Sequence, residues 1–410
     1  MCAAKAAAGA RGADVRSDCW IEVDPIAADG IEIALKSKVE SLYGASIRAQ
    51  LADGLARLGL AHARVTIDDS GAVPFVIDAR LETAVRRALG DEAPAATLLP
   101  ATRVALAPSK RDRFRRSRLY LPGTQPKLML NAGLHRPDAV ILDLEDAVAP
   151  SEKDAARCLV RGALLALDFG AAERMVRINQ GERGLEDLEW IVPYGVQLVL
   201  IPKVESAAEV KAVAERAARI AADCGRAEPL WLMPIIESAL GGLSALEIAR
   251  AHADVVALAI GLEDYTADLG VQRSNSGEES FWLRSVVVNA ARAAGIQPID
   301  TVFSDVDDMD GLAASVRAAK QLGFDGKGCI HPRQIPVVHA AFAPTADEIA
   351  KACRIVQAFE AATAAGLGVV SLGSKMIDAP VVKRAQRTVT LALAGGLLAE
   401  NWRENAEVQA

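Results

Sequence analysis

DAVILDLED at 138–146 and DVVALAIGLED at 254–264 decide the fold: each is a short apolar run, without period-two alternation, that ends abruptly in carboxylates. A strand covered on both faces reads in this way, because both sets of side chains are buried. Working outward, six further runs have the same form: LYLPG (119–123), RMVRIN (174–179), VQLVLIPK (196–203), LWLMPIIE (230–237), IQPIDTVF (296–303) and GKGCIHP (326–332). Helical segments separate them, as parallel strands require. Eight strand–helix units in succession predict an α/β protein built on a closed (β/α)8 TIM barrel rather than an open doubly wound sheet. No GxGxxG follows any run, which removes the main dinucleotide-binding signal.

The boundaries follow from composition. GDEAPAATLLPATRVALAPSK (90–110) is too rich in Gly, Pro, Ala and Thr to be an element interior. The expected organisation is a small α+β domain at 1–95, a basic linker at 96–115, the barrel at 116–345 and a C-terminal helical extension or lid at 346–410. In the first part strands are expected at 19–23, 30–35, 64–67 and 75–77, and helices at 47–58 and 79–89.

Of the 410 residues, 51% are hydrophobic, enough for a substantial core, and only 4% are aromatic. A net charge of -7 gives no overall field that would gather nucleic acid or an anionic membrane. The basic run 110–118 reads as a solvated linker, or else as a contact for the phosphates of a nucleotide-like carrier. Six scattered cysteines without a CxxC pair argue against a zinc site or a disulfide framework and fit a reducing cytoplasm. Neither a secretion signal nor a membrane span is expected.

In a barrel of this kind the active site lies at the C-terminal rim, so the polar residue closing each run is the one to weigh. These are Asp143, Glu145 and Asp146; Arg177 and Asn179; Lys203; Glu237; and Glu263 and Asp264. Glu237 and Asp264, from adjacent strands and without His or Cys beside them, make a hard oxygen pair suited to Mg2+, or else they cap the helices that follow. Arg177 either holds a developing enolate oxygen or pairs with the DLED acids. So acidic a rim keeps Lys203 protonated, against a Schiff-base role. His331 reads as a structural histidine.

RSRLYLPG (116–123), DAVILDLEDAV (138–148), VRIN (176–179), IPKVES (201–206), IIESALG (235–241), IGLEDY (260–265), GFDGKGCIHPRQI (323–335) and KMIDAPVV (375–382) together resemble the citrate lyase β-subunit family of the HpcH/HpaI aldolase superfamily. The resemblance implies a Mg2+-dependent carbon–carbon lyase acting on a citryl-, malyl- or citramalyl-type 3-hydroxyacyl thioester. The products would be a 2-oxoacid, oxaloacetate from citryl, and an acetyl thioester. It makes Glu237 and Asp264 the metal ligands, Arg177 the polarising cation, Glu145 a catalytic carboxylate, and Arg116, Lys203 and Asn179 contacts to substrate or CoA. Asp378 would be lent to the neighbouring subunit of a homotrimer to move a proton. The alternatives are a thioester hydrolase on the same scaffold and a non-catalytic docking subunit of a citrate-lyase-like complex, beside a transferase subunit.

SDCWIEVDP (17–25), IEIALKSKVESLYGASI (31–47), DDSGA (68–72) and IDARLETAVRRAL (77–89) are similar to the acyl-carrier subunit of citrate lyase. Relatives carry a phosphoribosyl-dephospho-CoA arm on the first serine of a Ser-Ser-Asp or Ser-Gly-Asp run. Here that position is Arg16, which has no hydroxyl, and only the adjacent Ser17 could replace it. The expectation is a domain kept for docking, with the substrate arriving as a free CoA thioester or on another protein.

Overall fold

The computed structural model describes residues 4–403 apart from 102, 105, 106, 275, 365, 367–369, 373 and 374. The first part contains β1 (Ala6–Gly9), β2 (Cys19–Pro25), β3 (Ile31–Ser37), α1 (Glu40–Arg57), β4 (Ala63–Asp69) and α2 (Pro74–Leu89). The strands form one sheet in the order β1-β2-β4-β3, with β3 parallel to β4 and the other pairs antiparallel. The alternating inner side chains Ile21, Val23, Val65 and Ile67 meet Leu51 and Leu55 of α1 and Leu81 of α2. The strand expected at 75–77 is instead the first turn of α2. Pro74 takes the first helical position, where its missing N–H costs nothing, and Phe75, Val76 and Ile77 are buried from a helix.

The second part alternates strand and helix: β5 (Ser117–Pro122), α3 (Pro126–Met129), β6 (Ala139–Asp143), α4 (Lys153–Ala166), β7 (Glu173–Arg177), α5 (Gly181–Ile191), β8 (Leu198–Ile201), α6 (Ala207–Asp223), β9 (Trp231–Ile236), α7 (Ala239–Leu243), α8 (Ala245–Ala249), β10 (Ala257–Ile260), α9 (Leu262–Asp268), α10 (Glu278–Ala294), β11 (Gln297–Asp300), α11 (Met309–Leu322) and β12 (Gly326–Cys329). The eight strands close in the order β10-β11-β12-β5-β6-β7-β8-β9, every neighbouring pair parallel. This is the expected TIM barrel, and its interior is filled by residues such as Ile141, Met175, Leu200, Met233, Ile235 and Ile299.

The basic run before β5 departs from the solvated reading. Arg115 is fully buried against Glu173 at 2.7 Å, and its guanidinium also donates to Gln297. Arg113 donates to the carbonyls of Asp138 and Ala171, Arg111 to those of Ala253 and Val255, and the Trp231 indole to that of Ser109. These partners lie at the starts of the strands, so residues 109–115 close the N-terminal end of the barrel. Arg116 belongs there too. It precedes β5, and its guanidinium and backbone N–H are committed to Asp138 at 2.8–2.9 Å. The expected substrate-contact position at Arg116 is thus at the end opposite the rim.

The small domain is clamped to the outer face of α4. Glu82 of α2 is wholly buried and accepts from Arg161 of α4, from Arg86 and from the Leu98 N–H. The Arg161 guanidinium lies 5.0 Å from the Trp190 ring centroid. Arg87 forms a bidentate pair with Asp154 at 2.7 Å, and Arg80 donates to the Thr124 carbonyl. A Cβ at Gly162 would stand 2.9 Å from Phe75, so glycine lets the two helices close.

A compact unit ends after Ile335, within α12 (Gln334–Phe342), and a second runs from Pro336 onward. The second contains α13 (Ala346–Ala364), the antiparallel pair β13 (Val370–Leu372) and β14 (Lys375–Ile377), and α14 (Ala379–Ala394). Its own core joins Ile355, Val356, Val382, Val389 and Trp402. No helix among the described residues is long and apolar enough to cross a membrane.

Candidate functional site

The register of the barrel assembles the site. Asp143 and Arg177, the last residues of β6 and β7, are Cα partners, and the guanidinium takes the carboxylate at both ends, at 2.8 and 2.6 Å. Its remaining nitrogen reaches Glu145 at 2.9 Å and Asp146 at 3.5 Å. Tyr120 of β5 lies beneath it, with the ring centroid 5.4 Å away. Burial works against the charge of Arg177, but the hydrogen bonds and charge of Asp143, with Glu145, more than offset it and raise its pKa.

Lys203, two residues past β8, has a left-handed backbone at φ 50°. That turn points its N–H at Glu237 Oε2, 2.9 Å away, while its Nζ meets Glu145 at 3.1 Å, Asp146 at 3.2 Å and Asp264 at 3.6 Å. Burial opposes the ammonium, but bonds to Glu145 and Asp146 prevail and hold its pKa above the usual lysine range. The amine therefore stays protonated, the state a Schiff-base nucleophile must leave.

Glu237 follows β9 directly and is only 6% exposed. Among the described residues it has no ion-pair partner, and burial pushes its carboxyl up to about 7, against the Lys203 N–H and Arg177 and with help from Asp264 and Glu145. Gly261, after β10, packs on it so closely that a Cβ there would stand 2.1 Å from Glu237 Oε1. The helix-capping reading fails for Glu237, whereas Asp264 does stand in the first turn of α9, where the helix dipole favours a carboxylate. Ser238, not Glu237, caps α7 by accepting from Gly241, and the cap of α9 is Gly261, leaving Asp264 half-exposed inside the first turn.

Five carboxyl groups, Asp143, Glu145, Asp146, Glu237 and Asp264, thus face three cations, Arg177, Lys203 and Lys153, a surplus of acids among which burial holds Glu237 and Glu145 above the usual carboxylate range. Glu263 is not part of that surplus, because Arg273 pairs with it. A divalent cation beside Glu237 and Asp264 would balance the set. Among the described residues no group of three or more His, Cys, Asp or Glu side chains is arranged to hold a metal ion, so Glu237 and Asp264 offer two oxygen donors and any further positions of a hard cation would fall to water or substrate.

The remaining candidates have partners of their own. Asn179 is buried and bonded through backbone and side chain to Asp187 of α5, at 2.7 and 2.8 Å. Ser17 occupies the turn before β2, at φ 57°. Asp378 caps α14 in the second unit, accepting from the Val381 N–H. His331 accepts from the Arg333 N–H, a structural role. Reading by strand ends missed Gln180, which donates to Glu145 Oε1 at 3.0 Å, and Tyr120, because neither closes an apolar run.

Residues 116–332 match the family model HpcH/HpaI aldolase/citrate lyase, and residues 5–88 match the model Malonate decarboxylase delta subunit (MdcD). The chain is 42% identical over 295 residues to citrate lyase subunit beta of Escherichia coli, covering 71% of this chain and 97% of that protein. It is 36% identical over 281 residues to (3S)-malyl-CoA thioesterase of Cereibacter sphaeroides, covering 68% and 95%. Among solved structures it resembles CitE from Mycobacterium tuberculosis in complex with magnesium, acetoacetate and coenzyme A, with a TM-score of 0.57, 33% identity, and 69% of this chain and 99% of that one covered. By the match over its whole barrel and by these relatives, the chain belongs to the HpcH/HpaI aldolase/citrate lyase family.

Proposed function

We propose that this chain is a Mg2+-dependent lyase that cleaves a 3-hydroxyacyl thioester of the citryl, malyl or citramalyl type to a 2-oxoacid and an acetyl thioester. The observation that carries the reading is the buried carboxyl of Glu237, without an ion-pair partner among the described residues, beside Asp264 and set against a fully braced Arg177. Mg2+ held by Glu237 and Asp264 would supply Lewis-acid polarisation at the hydroxyacid end of the substrate. Glu145, braced by Arg177, Lys203 and Gln180, accepts the hydroxyl proton. The bond between the carbinol carbon and the thioester α-carbon then breaks. The carbinol becomes the 2-oxo group, and the electron pair passes to the thioester as an enolate, whose oxygen Arg177 holds. Asp378, from a neighbouring subunit of a homotrimer, returns a proton to the α-carbon. Lys203 keeps the acids around it in place and contacts the substrate as a cation.

A coupled assay with citryl-, malyl- and citramalyl-CoA tests this. One 2-oxoacid should appear, and it should vanish with EDTA and in Glu237→Ala. Release of free CoA without a 2-oxoacid would favour thioester hydrolysis, the reading that the likeness to a malyl-CoA thioesterase supports. Silence on all three substrates by a folded protein would leave two readings, a substrate that arrives on a carrier arm and a docking subunit.

A further inference from the structure

A cavity of about 370 Å³ lies between the small domain and the barrel, inside the size range of small-molecule sites. One wall is the turn of the small domain bearing Asp14, Arg16 and Asp18. The other is the rim loop after β5, Thr124 to Lys127, together with Glu152 from the loop after β6. These two rim loops also border the acid cluster: the Gly123 N–H donates to the Asp143 carbonyl, and Lys153, next to Glu152, holds the Leu144 and Glu145 carbonyls. The same two loops thus join the cavity wall to the acid cluster.

The charges in the cavity are unequal in availability. Asp18 is committed to Arg80 through two bonds of 2.9 and 2.8 Å, and Glu152 lies 3.3 Å from Arg87. Arg16 and Lys127 are exposed and, among the described residues, in no ion pair; Asp14 is the one acid left to oppose them. The walls are held by the buried Glu82–Arg161 pair and by Arg80 on Thr124, so neither cation depends on a swinging domain to reach the cavity.

Resting on the lyase reading, we infer that this cavity takes the phosphorylated tail of a free CoA-type thioester, with Arg16 and Lys127 as its phosphate contacts. Arg16 stands where carrier relatives place the serine that bears the arm. A guanidinium there replaces a covalent attachment by a charge-assisted one that a diffusible substrate can make and break.

Calorimetric titration of the full chain with coenzyme A tests this, independently of turnover. Arg16→Glu with Lys127→Glu should weaken binding about tenfold or more, since hydrogen bonds between charged groups outweigh neutral ones. Lys211→Glu, the same charge change on an exposed face of α6, should shift it by no more than about twofold, because distant surface charges are screened. Arg16→Ala and Lys127→Ala, each milder, guard against misfolding of the reversal. Wild-type protein that does not bind coenzyme A would overturn the inference. So would a charge-reversed protein that binds it as tightly, or a covalent mass increase at Ser17 in protein from its native host. The lyase reading fails separately, by absence of turnover in a wild-type chain that binds coenzyme A.

Discussion

The two ends of the barrel are both built on arginine–carboxylate pairs, yet they do opposite things. At the N-terminal end Arg115 and Glu173 are fully buried at 2.7 Å, with Ser109, Gln297 and the carbonyls of Lys110 and Arg111 using the remaining polar atoms. At the rim Arg177 holds Asp143 as closely, but Glu145, Asp146, Glu237 and Asp264 crowd beside it with too few cations. A closed pair is satisfied where it stands, and only breaking it is costly; a surplus of acids is relieved by taking up protons or a cation. Pairing alone does not tell structure from function, whereas the unbalanced remainder does.

The largest effect expected comes from breaking the closed end. Arg115→Met strands Glu173 in the interior, and removing one partner of a buried pair costs about 3–5 kcal/mol. Urea unfolding should show that loss, and Arg115→Met with Glu173→Leu should recover most of it, because two apolar groups leave no uncompensated charge. At the rim, Arg177→Lys keeps the charge but loses the two-pronged hold on Asp143. Stability should change little while kcat falls about 10²–10³-fold, the usual effect of losing one oxyanion donor. An equal loss of stability in both variants would remove the distinction between the ends.

Much of this contrast was legible in the chain. All eight barrel strands lie within the apolar runs or overrun them by at most two residues, because burial on both faces leaves no room for alternation, and Asp143, Arg177, Lys203, Glu237 and Asp264, at or just after the strand ends, gather at one rim. Arg116 was misplaced because the resemblance, not its position, made it a substrate contact; it stands before β5, and Asp138, its partner, sits just before the next strand. Phe75 to Ile77 read as a strand because three apolar residues carry no period, and Pro74 was the signal that outweighed them. Asn179 closes a run as well as Arg177 does, but Asp187, in the middle of α5, claims its amide. That kind of competition between partners is tertiary and has no local signature.

Two smaller substitutions sharpen the view of the rim. Gly261→Ala puts a Cβ 2.1 Å from Glu237 Oε1, so the carboxylate must turn away from its place beside the Lys203 N–H. The Mg2+ concentration giving half-maximal activity should rise about 10–100-fold, as when groups that orient a metal ligand are lost. Titrating Mg2+ against initial rate separates this from a loss of catalytic power, which excess metal would not restore. Gln180→Ala is milder still. Its amide is a neutral donor to Glu145 Oε1, an oxygen that Lys203 also reaches, so the carboxylate keeps its charged partner when the amide goes. A hydrogen bond to a charged group is worth about 1.5–3 kcal/mol, but Lys203 stays on the same oxygen, so kcat should fall by about tenfold, with no change in the Mg2+ requirement. A loss as deep as that of Arg177→Lys would mean that Gln180 itself contacts the reacting atoms and that the rim cluster extends one helix turn further than the strand ends imply.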